Sequence, residues 1–285
     1  VLAKPEEIMT TTLVVRRRFD PAPALASLVA HAVPGVEVTR GATVRRVVRL
    51  GGVPALVAAT LGPDRIELSA SAGTPADLAT LADRWFGLDD DLDVVHEAFV
   101  ADPVLGPLVR ARPGLRVLGH PDGFEAAVTT VLGQQVSLAA ARTFGGRLAA
   151  AYGTPGPGGL RVYPSADRLA AVDVVELQGV VRITHSRART VQALAAAVAD
   201  GLRLVPGEPD VRARLLALPG VGPWTADYLA LRVLGDRDAL PVGDLVLRRA
   251  LGVTGAADVT RLAERWRPHR AFAAVHLWTA TAYAI

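Results

Sequence analysis

Two hydrophobic periodicities divide the chain. Over roughly residues 10–88 the apolar positions come in short β-branched and aliphatic runs closed by turn residues. Leu13–Arg18, Thr43–Leu50, Val53–Leu61 and Arg65–Ala70 read as strands, the second and third joined across Gly51-Gly52. Asp20-Pro21 supplies a cap and first turn for a helix reaching about Ala32, and Thr74-Pro75 does the same for one ending at Trp85. Strand, helix, strands, helix in that order predicts a small α+β domain. Arg45, Arg46 and Arg49 read as a solvated strand face.

From Asp89 onward the strand signal stops and a 3.6-residue period takes over. Acidic residues crowd the start of a helix over Asp89–Val100, as the macrodipole favours, and Asp102–Val109 is a second, shorter one. Asp122-Gly123-Phe124-Glu125 has capping-box spacing and opens a helix to Leu132. Gly133 interrupts it, and Val136–Tyr152 resumes. Further helices are expected at Asp173–Leu177, Ser186–Ala199, Asp210–Ala217, Asp258–Trp266 and His269–Tyr283, while Pro/Gly-rich Thr154–Leu160 reads as a loop inside the helical unit. The predicted organisation is an N-terminal extension (residues 1–9), an α+β domain (10–88) and an all-α unit (89–285).

The candidate chemistry lies between Leu218 and Arg249. Leu218-Pro219-Gly220-Val221-Gly222 brackets one apolar residue with two glycines, and Pro223 stands where a first helical residue lacks a use for its N–H. A Gly-rich hairpin feeding a helix N-terminus leaves unpaired N–H groups, which suit a phosphate. The same pattern also serves as a packing corner between two helices. Trp224 and Tyr228, four residues apart, share one face of the helix that follows. Their alternative role is ordinary core packing, as read for Trp85 and Trp266. Pro241-Val242-Gly243-Asp244 then opens a helix carrying Arg248 and Arg249. An Asp in that position is a natural N-cap as well as a candidate catalytic carboxylate.

Leu218-Pro219-Gly220-Val221-Gly222-Pro223-Trp224-Thr225-Ala226, with Asp244 twenty residues beyond Trp224, resembles the helix-hairpin-helix DNA glycosylase superfamily, most closely its bacterial 3-methyladenine DNA glycosylase II branch. Val131–Ser137 is similar to that family's gap-filling loop, and Glu264–Arg270 through His276-Leu277-Trp278 to its C-terminal helix. The resemblance implies a helical unit in two lobes (about 113–235, and 89–112 plus 236–285) around a cleft. It implies Asp244 as the catalytic carboxylate and Trp224, Tyr228 and Trp278 as the pocket for an extruded base. Gly220, Gly222, Trp224, Thr225, Gln134, Gln135 and Arg248 would meet DNA. The carbonyls of Leu216, Leu218 and Val221 would hold a structural monovalent cation, with no cofactor required. The implied reaction is hydrolytic release of alkylated purines, 3-methyladenine and 7-methylguanine, from duplex DNA by a monomer. In two places the chain departs from the family member it most resembles: Gln135 stands where that protein carries an apolar wedge, and Leu245 follows Asp244 where it carries an aromatic. The first helix also has no aromatic to wall the pocket.

Composition narrows the alternatives. At 285 residues, with 51% hydrophobic and 21% charged positions, the chain can bury a proper core. Net charge is only +3 and Lys4 is the only lysine, so the sequence pI of 9.8 is carried by arginine, which suits phosphate but also follows from coding bias. Zero cysteines exclude disulfides, thiolate metal sites and a cysteine-held iron–sulfur cluster. The absence of a signal peptide or long apolar run points to a cytosolic protein without a membrane partner. His120, His185 and His276 lack metal-ligand spacing, and Asp227 reads as a surface residue. Glycosylases that also nick the strand use a lysine where this chain has Trp224, so no strand cleavage is expected. Two rival readings remain: a glycosylase for another damaged base, and a non-catalytic DNA-binding module.

Overall fold

The computed structural model describes residues 9–282. Residues 1–8 of the expected extension, and Tyr283 at the expected end of the last helix, lie outside the described residues. The N-terminal part is a five-stranded antiparallel sheet in the order β1-β5-β4-β3-β2. Its strands are β1 (Thr11–Val15), β2 (Glu37–Arg40), β3 (Thr43–Leu50), β4 (Val53–Leu61) and β5 (Ile66–Ala70), with helices α1 (Pro21–His31) and α2 (Pro75–Phe86). The edge strand β2 was not expected. It is four residues long with Val38 its one apolar residue, too short to separate from a loop by period alone. A full capping box starts α2: Thr74 accepts from the Asp77 amide and the Asp77 carboxylate accepts from the Thr74 amide.

The rest is largely helical. It runs through α3 (Leu92–Phe99), α4 (Leu105–Ala111), α5 (Gly123–Gly133), α6 (Leu138–Tyr152), α7 (Ala166–Ala170), α8 (Val174–Val181) and α9 (His185–Ala199). There follow α10 (Val211–Leu216), α11 (Pro223–Arg232), α12 (Leu245–Leu251), α13 (Ala256–Ala263) and α14 (Arg270–Ala282). Thr154–Leu160 is more than a loop: β6 (Thr154–Pro155) pairs with β7 (Arg161–Val162) as a small hairpin. The Arg161 amide donates to the Gly35 carbonyl at 2.7 Å, and Gly158 packs so closely on Leu56 of β4 that a Cβ there would come within 2.7 Å of it. The helical part therefore reaches back onto the sheet.

Three apolar clusters hold the molecule. One lies under the sheet, from Phe19 to Leu118, around Trp85 and Phe86. A second is built from α5, α6, α8, α9, α10 and the second half of α11, and takes in Val33 and Val36 of the N-terminal part. The third joins α3 and α4 to α12, α13 and α14 around Trp266. The second and third meet along α11, which contributes Leu229 to one and Leu231 to the other. The groove between them opens beside α11.

Arginine placement corrects the solvated-face expectation. Adjacent strand residues point to opposite faces, so Arg45 and Arg46 cannot share one. Arg46 is only 2% exposed and is clamped between Glu37 at 2.8 Å and Glu125 at 2.6 Å. That contact also changes the Asp122–Glu125 motif. Asp122 accepts from the Glu125 amide as a cap should, but the Glu125 side chain turns to Arg46 instead of back to the cap. A first-turn residue of α5 thus ties the helical part to the sheet.

Candidate active site

Asp244 is both cap and candidate catalyst. Its Oδ1 accepts from the Val246 and Leu247 amides at 2.9 and 3.0 Å, the ordinary start of a helix. The same oxygen also accepts from Trp278 Nε1 at 3.0 Å, and Oδ2 accepts from Trp224 Nε1 at 3.0 Å. Four N–H donors therefore solvate one carboxylate, two from a helix N-terminus and two from indoles. The two indoles come from α11 and α14, so a carboxylate on α12 is fixed by three separate helices.

The rings make a wall. Trp224 and Tyr228 stack at 5.3 Å with 17° between planes, and Tyr228 meets Trp278 at 5.9 Å with a 52° tilt. All three are half-buried and line a cavity of about 1100 Å³ together with Asp244. The tryptophans are thus held edge-on to the carboxylate while keeping a face for stacking. Phe19, just before α1, lines the same cavity. Reading for aromatics inside the helix missed it, because the residue precedes the helix.

The hairpin sits at the cavity mouth. Gly220 has φ +79°, and a Cβ there would fall 2.1 Å from Thr190 Oγ1. Gly222 has open space around it. The first-turn amides of α11, at Trp224 and Thr225, have no intrahelical acceptor. These facts separate the two glycines. Gly220→Ala is expected to destabilise the fold by at least about 1–2 kcal/mol through left-handed strain, seen as a lower melting temperature. Gly222→Leu is expected to cost about 1 kcal/mol or less, while its side chain projects where a phosphate would approach. It should weaken binding to damaged and undamaged duplexes alike. Affinity lost only for damaged DNA would count against a phosphate-binding hairpin.

Gln134 and Gln135 part company. Gln134 Nε2 donates to the Gly220 carbonyl at 3.1 Å and to Thr225 Oγ1 at 3.0 Å, while the Gln134 backbone carbonyl accepts from the Arg187 guanidinium. It is a clasp between the loop and the hairpin. Gln135 is exposed at φ 55°, at the tip of the α5–α6 turn, and both residues line the cavity. Leu138 and Leu245, 47% and 60% exposed, flank the same opening. Sequence reading passed over Leu138; a leucine just after an N-cap serine was the available signal. Arg248 is not brought to the mouth. It donates to the Thr254 carbonyl at 2.9 Å, closing the end of α12.

Leu216, Leu218 and Val221 bring their backbone to the turn between α10 and α11, where the Leu218 carbonyl accepts from the Val221 amide at 3.2 Å. No cluster of three or more His, Asp or Glu side chains able to hold a metal occurs among the described residues. Asp227 pairs with Arg212 at 2.8 Å, away from this chemistry. His276 is buried in α14, where burial pushes its imidazole down to about 4. His185 faces Gln178 on the surface, but His120 lines the cavity.

Two family models match the chain. Residues 10–122 match the AlkA N-terminal domain, and residues 128–269 match the HhH-GPD superfamily of base excision DNA repair proteins. The chain is 40% identical over 281 residues to a probable bifunctional transcriptional activator/DNA repair enzyme AlkA of Mycobacterium tuberculosis. That alignment covers 94% of this chain but 56% of the relative, so the chain spans little more than half of that protein. It is 34% identical over 271 residues to DNA-3-methyladenine glycosylase 2 of Escherichia coli K12, covering 89% of this chain and 91% of the relative. The solved 3-methyladenine DNA glycosylase of Archaeoglobus fulgidus superposes with a TM-score of 0.80 over 96% of this chain and 99% of the other. At 18% identity that likeness speaks for the fold alone.

Proposed function

Because the chain belongs to the HhH-GPD superfamily of base excision DNA repair proteins, we propose that it is a monofunctional DNA glycosylase. It hydrolyses the N-glycosidic bond of alkylated purines, 3-methyladenine and 7-methylguanine, in duplex DNA. The observation that carries this reading is the Asp244 carboxylate fixed by two indole N–H groups at the foot of an aromatic wall. An alkylated purine is electron-poor or cationic, so Trp224, Tyr228 and Trp278 attract its face. Alkylation has already made the base a good leaving group. As the bond breaks, its electron pair leaves with the base and positive charge builds on the sugar. Asp244, preorganised by its four donors, stabilises that charge and accepts the proton of the water that adds to the sugar carbon.

The remaining residues hold DNA. The amides around Gly220, Gly222, Trp224 and Thr225 grip a phosphate without reading bases, and Arg249 on α12 is exposed, whereas Arg248 is tied to the Thr254 carbonyl. Gln135 enters the vacancy left by the extruded base, and Gln134 fixes that loop to the hairpin. The Leu216, Leu218 and Val221 carbonyls would hold a monovalent cation. Their oxygens suit a hard ion, and the one that accepts from Val221 keeps a second lone pair. The protein acts as a monomer. Among the described residues no helix is long and apolar enough to cross a membrane.

Reaction type is tested by the state of the strand. The product should be an intact abasic site that breaks only on addition of alkali. A covalent protein–DNA adduct trapped by borohydride in protein with Lys4 replaced would overturn the monofunctional reading.

A further inference from the structure

The aromatic wall ends in a cation. One face of α11 carries Trp224, Tyr228 and Arg232 at four-residue spacing, and all three line the cavity. The Trp224 and Tyr228 centroids are 5.3 Å apart, and the Arg232 guanidinium carbon lies 5.9 Å from the Tyr228 centroid. Side chains on a helix lean toward its N-terminus, so the guanidinium folds back over Tyr228 toward Asp244. A base held against this wall has Asp244 at its sugar end and Arg232 at its far edge. From sugar carbon to far edge, with one hydrogen bond added, a purine spans about 10 Å. That length is comparable with the two steps of 5.3 and 5.9 Å from Trp224 to Arg232.

Arg232 has donors to spare. A guanidinium carries five N–H groups in a fixed plane. Nη1 donates to the Leu118 carbonyl, which anchors the group, and among the described residues no carboxylate pairs with it. Carboxylates elsewhere in the cavity are engaged: Glu37 and Glu125 hold Arg46, and Asp244 takes the two indole N–H groups. Burial, and after it the charge of Arg232, push His31 down to about 4. That neighbouring ring is therefore neutral, and Arg232 keeps its charge uncompensated.

A fixed cationic donor discriminates at the edge of a purine opposite its sugar bond. There a 6-oxopurine presents a carbonyl oxygen, which accepts. A 6-aminopurine presents N–H groups, a donor against a donor. As the glycosidic bond breaks, its electron pair passes to the base and the carbonyl oxygen gains negative charge. A hydrogen bond from Arg232 therefore strengthens on the way to the transition state, which is where it raises the rate. We propose that Arg232 is the specificity-determining residue for the far edge of the extruded base, favouring 6-oxopurines such as 7-methylguanine over methylated adenines. The proposal rests on the glycosylase reading of the cavity mouth.

Two duplexes that differ only at position 6 of one base, 7-methylhypoxanthine or 7-methyladenine, test it. Single-turnover release of each is divided by its spontaneous loss without protein, which removes the difference in leaving ability. The wild type should accelerate loss of the oxopurine about tenfold more, as one hydrogen bond to a charged group allows. Arg232→Met removes every donor and should bring that ratio near one, with a melting curve showing that the variant is folded. Equal or smaller acceleration of the oxopurine by the wild type would overturn the proposal, whether or not the variant folds. A tenfold ratio kept by folded Arg232→Met would also overturn it, leaving Arg232 as a prop for the Leu118 carbonyl. Release of neither base by folded, duplex-bound wild type would instead remove the glycosylase reading, and the proposal with it.

Discussion

Asp244→Asn is expected to give a folded, DNA-binding protein that excises alkylated purines at least about two orders of magnitude more slowly. The amide oxygen can keep the three donors now on Oδ1, namely the Val246 and Leu247 amides and Trp278 Nε1. Helix α12 should start as before, since amide oxygens cap about as well as carboxylates. The NH2 group then faces Trp224 Nε1, a donor against a donor, where Oδ2 had accepted at 3.0 Å. The negative charge is gone, and with it the group that opposes the charge developing on the sugar. Losing one such preorganised stabiliser costs roughly 3–4 kcal/mol. Affinity for duplex DNA should hold or rise slightly, because a carboxylate no longer repels phosphate. Thermal melting, duplex binding and single-turnover excision on the same preparation check the three parts. A lower melting temperature with normal excision would make Asp244 a cap and nothing more.

Arg46→Met is expected to produce the largest loss of stability. It leaves the Glu37 and Glu125 carboxyls buried without their counter-charge, a break that typically costs about 3–5 kcal/mol and roughly 10 °C in melting temperature at this size. The loss should depend on pH. Burial already pushes Glu125 up to about 7, against the pull of Arg46, and pushes Glu37 upward too. A carboxyl whose pKa is higher folded than unfolded binds its proton more tightly in the fold. Its contribution is complete below the unfolded value and is lost as pH rises through the folded one. Without Arg46 both carboxyls rise further, so the variant should fall behind wild type more at pH 8 than at pH 5.5. Glu125→Gln, which keeps a hydrogen bond to Arg46 and removes a charge, should be milder. Melting curves at the two pH values decide the matter, and an equal deficit at both would contradict this account.

The parts of the site legible in the sequence are those that local spacing encodes. Two glycines around Val221, a proline at a helix start, aromatics four residues apart on α11 and an Asp after Gly243 are each short-range patterns with a physical cause. The α+β start and helical remainder were legible for the same reason, since periods of two and 3.6 are local. What escaped was non-local. Arg46 and Glu125 meet across 79 residues, and nothing in the strand pattern of β3 distinguishes a buried arginine from an exposed one. The Asp122–Glu125 spacing was a true cap signal, but tertiary contact redirected the glutamate. Neither β2 nor the 154–162 hairpin is long enough for periodicity to register, and both are made by their pairing partners. The indole bonds to Asp244 needed α11, α12 and α14 brought together. Only the assembled fold shows that both tryptophans donate to the carboxylate while lining the same cavity.

The central claim is that this carboxylate and its aromatic wall release alkylated purines from DNA, and base release itself tests it most directly. Duplex DNA methylated on its purines would be incubated with the wild-type protein, and the free bases in the supernatant separated and identified. The account predicts 3-methyladenine and 7-methylguanine in solution with the strands unbroken, and at least about a hundredfold less of each in the same time with Asp244→Asn. Supernatant free of methylated purines, from protein that is folded and bound to the duplex, would contradict it.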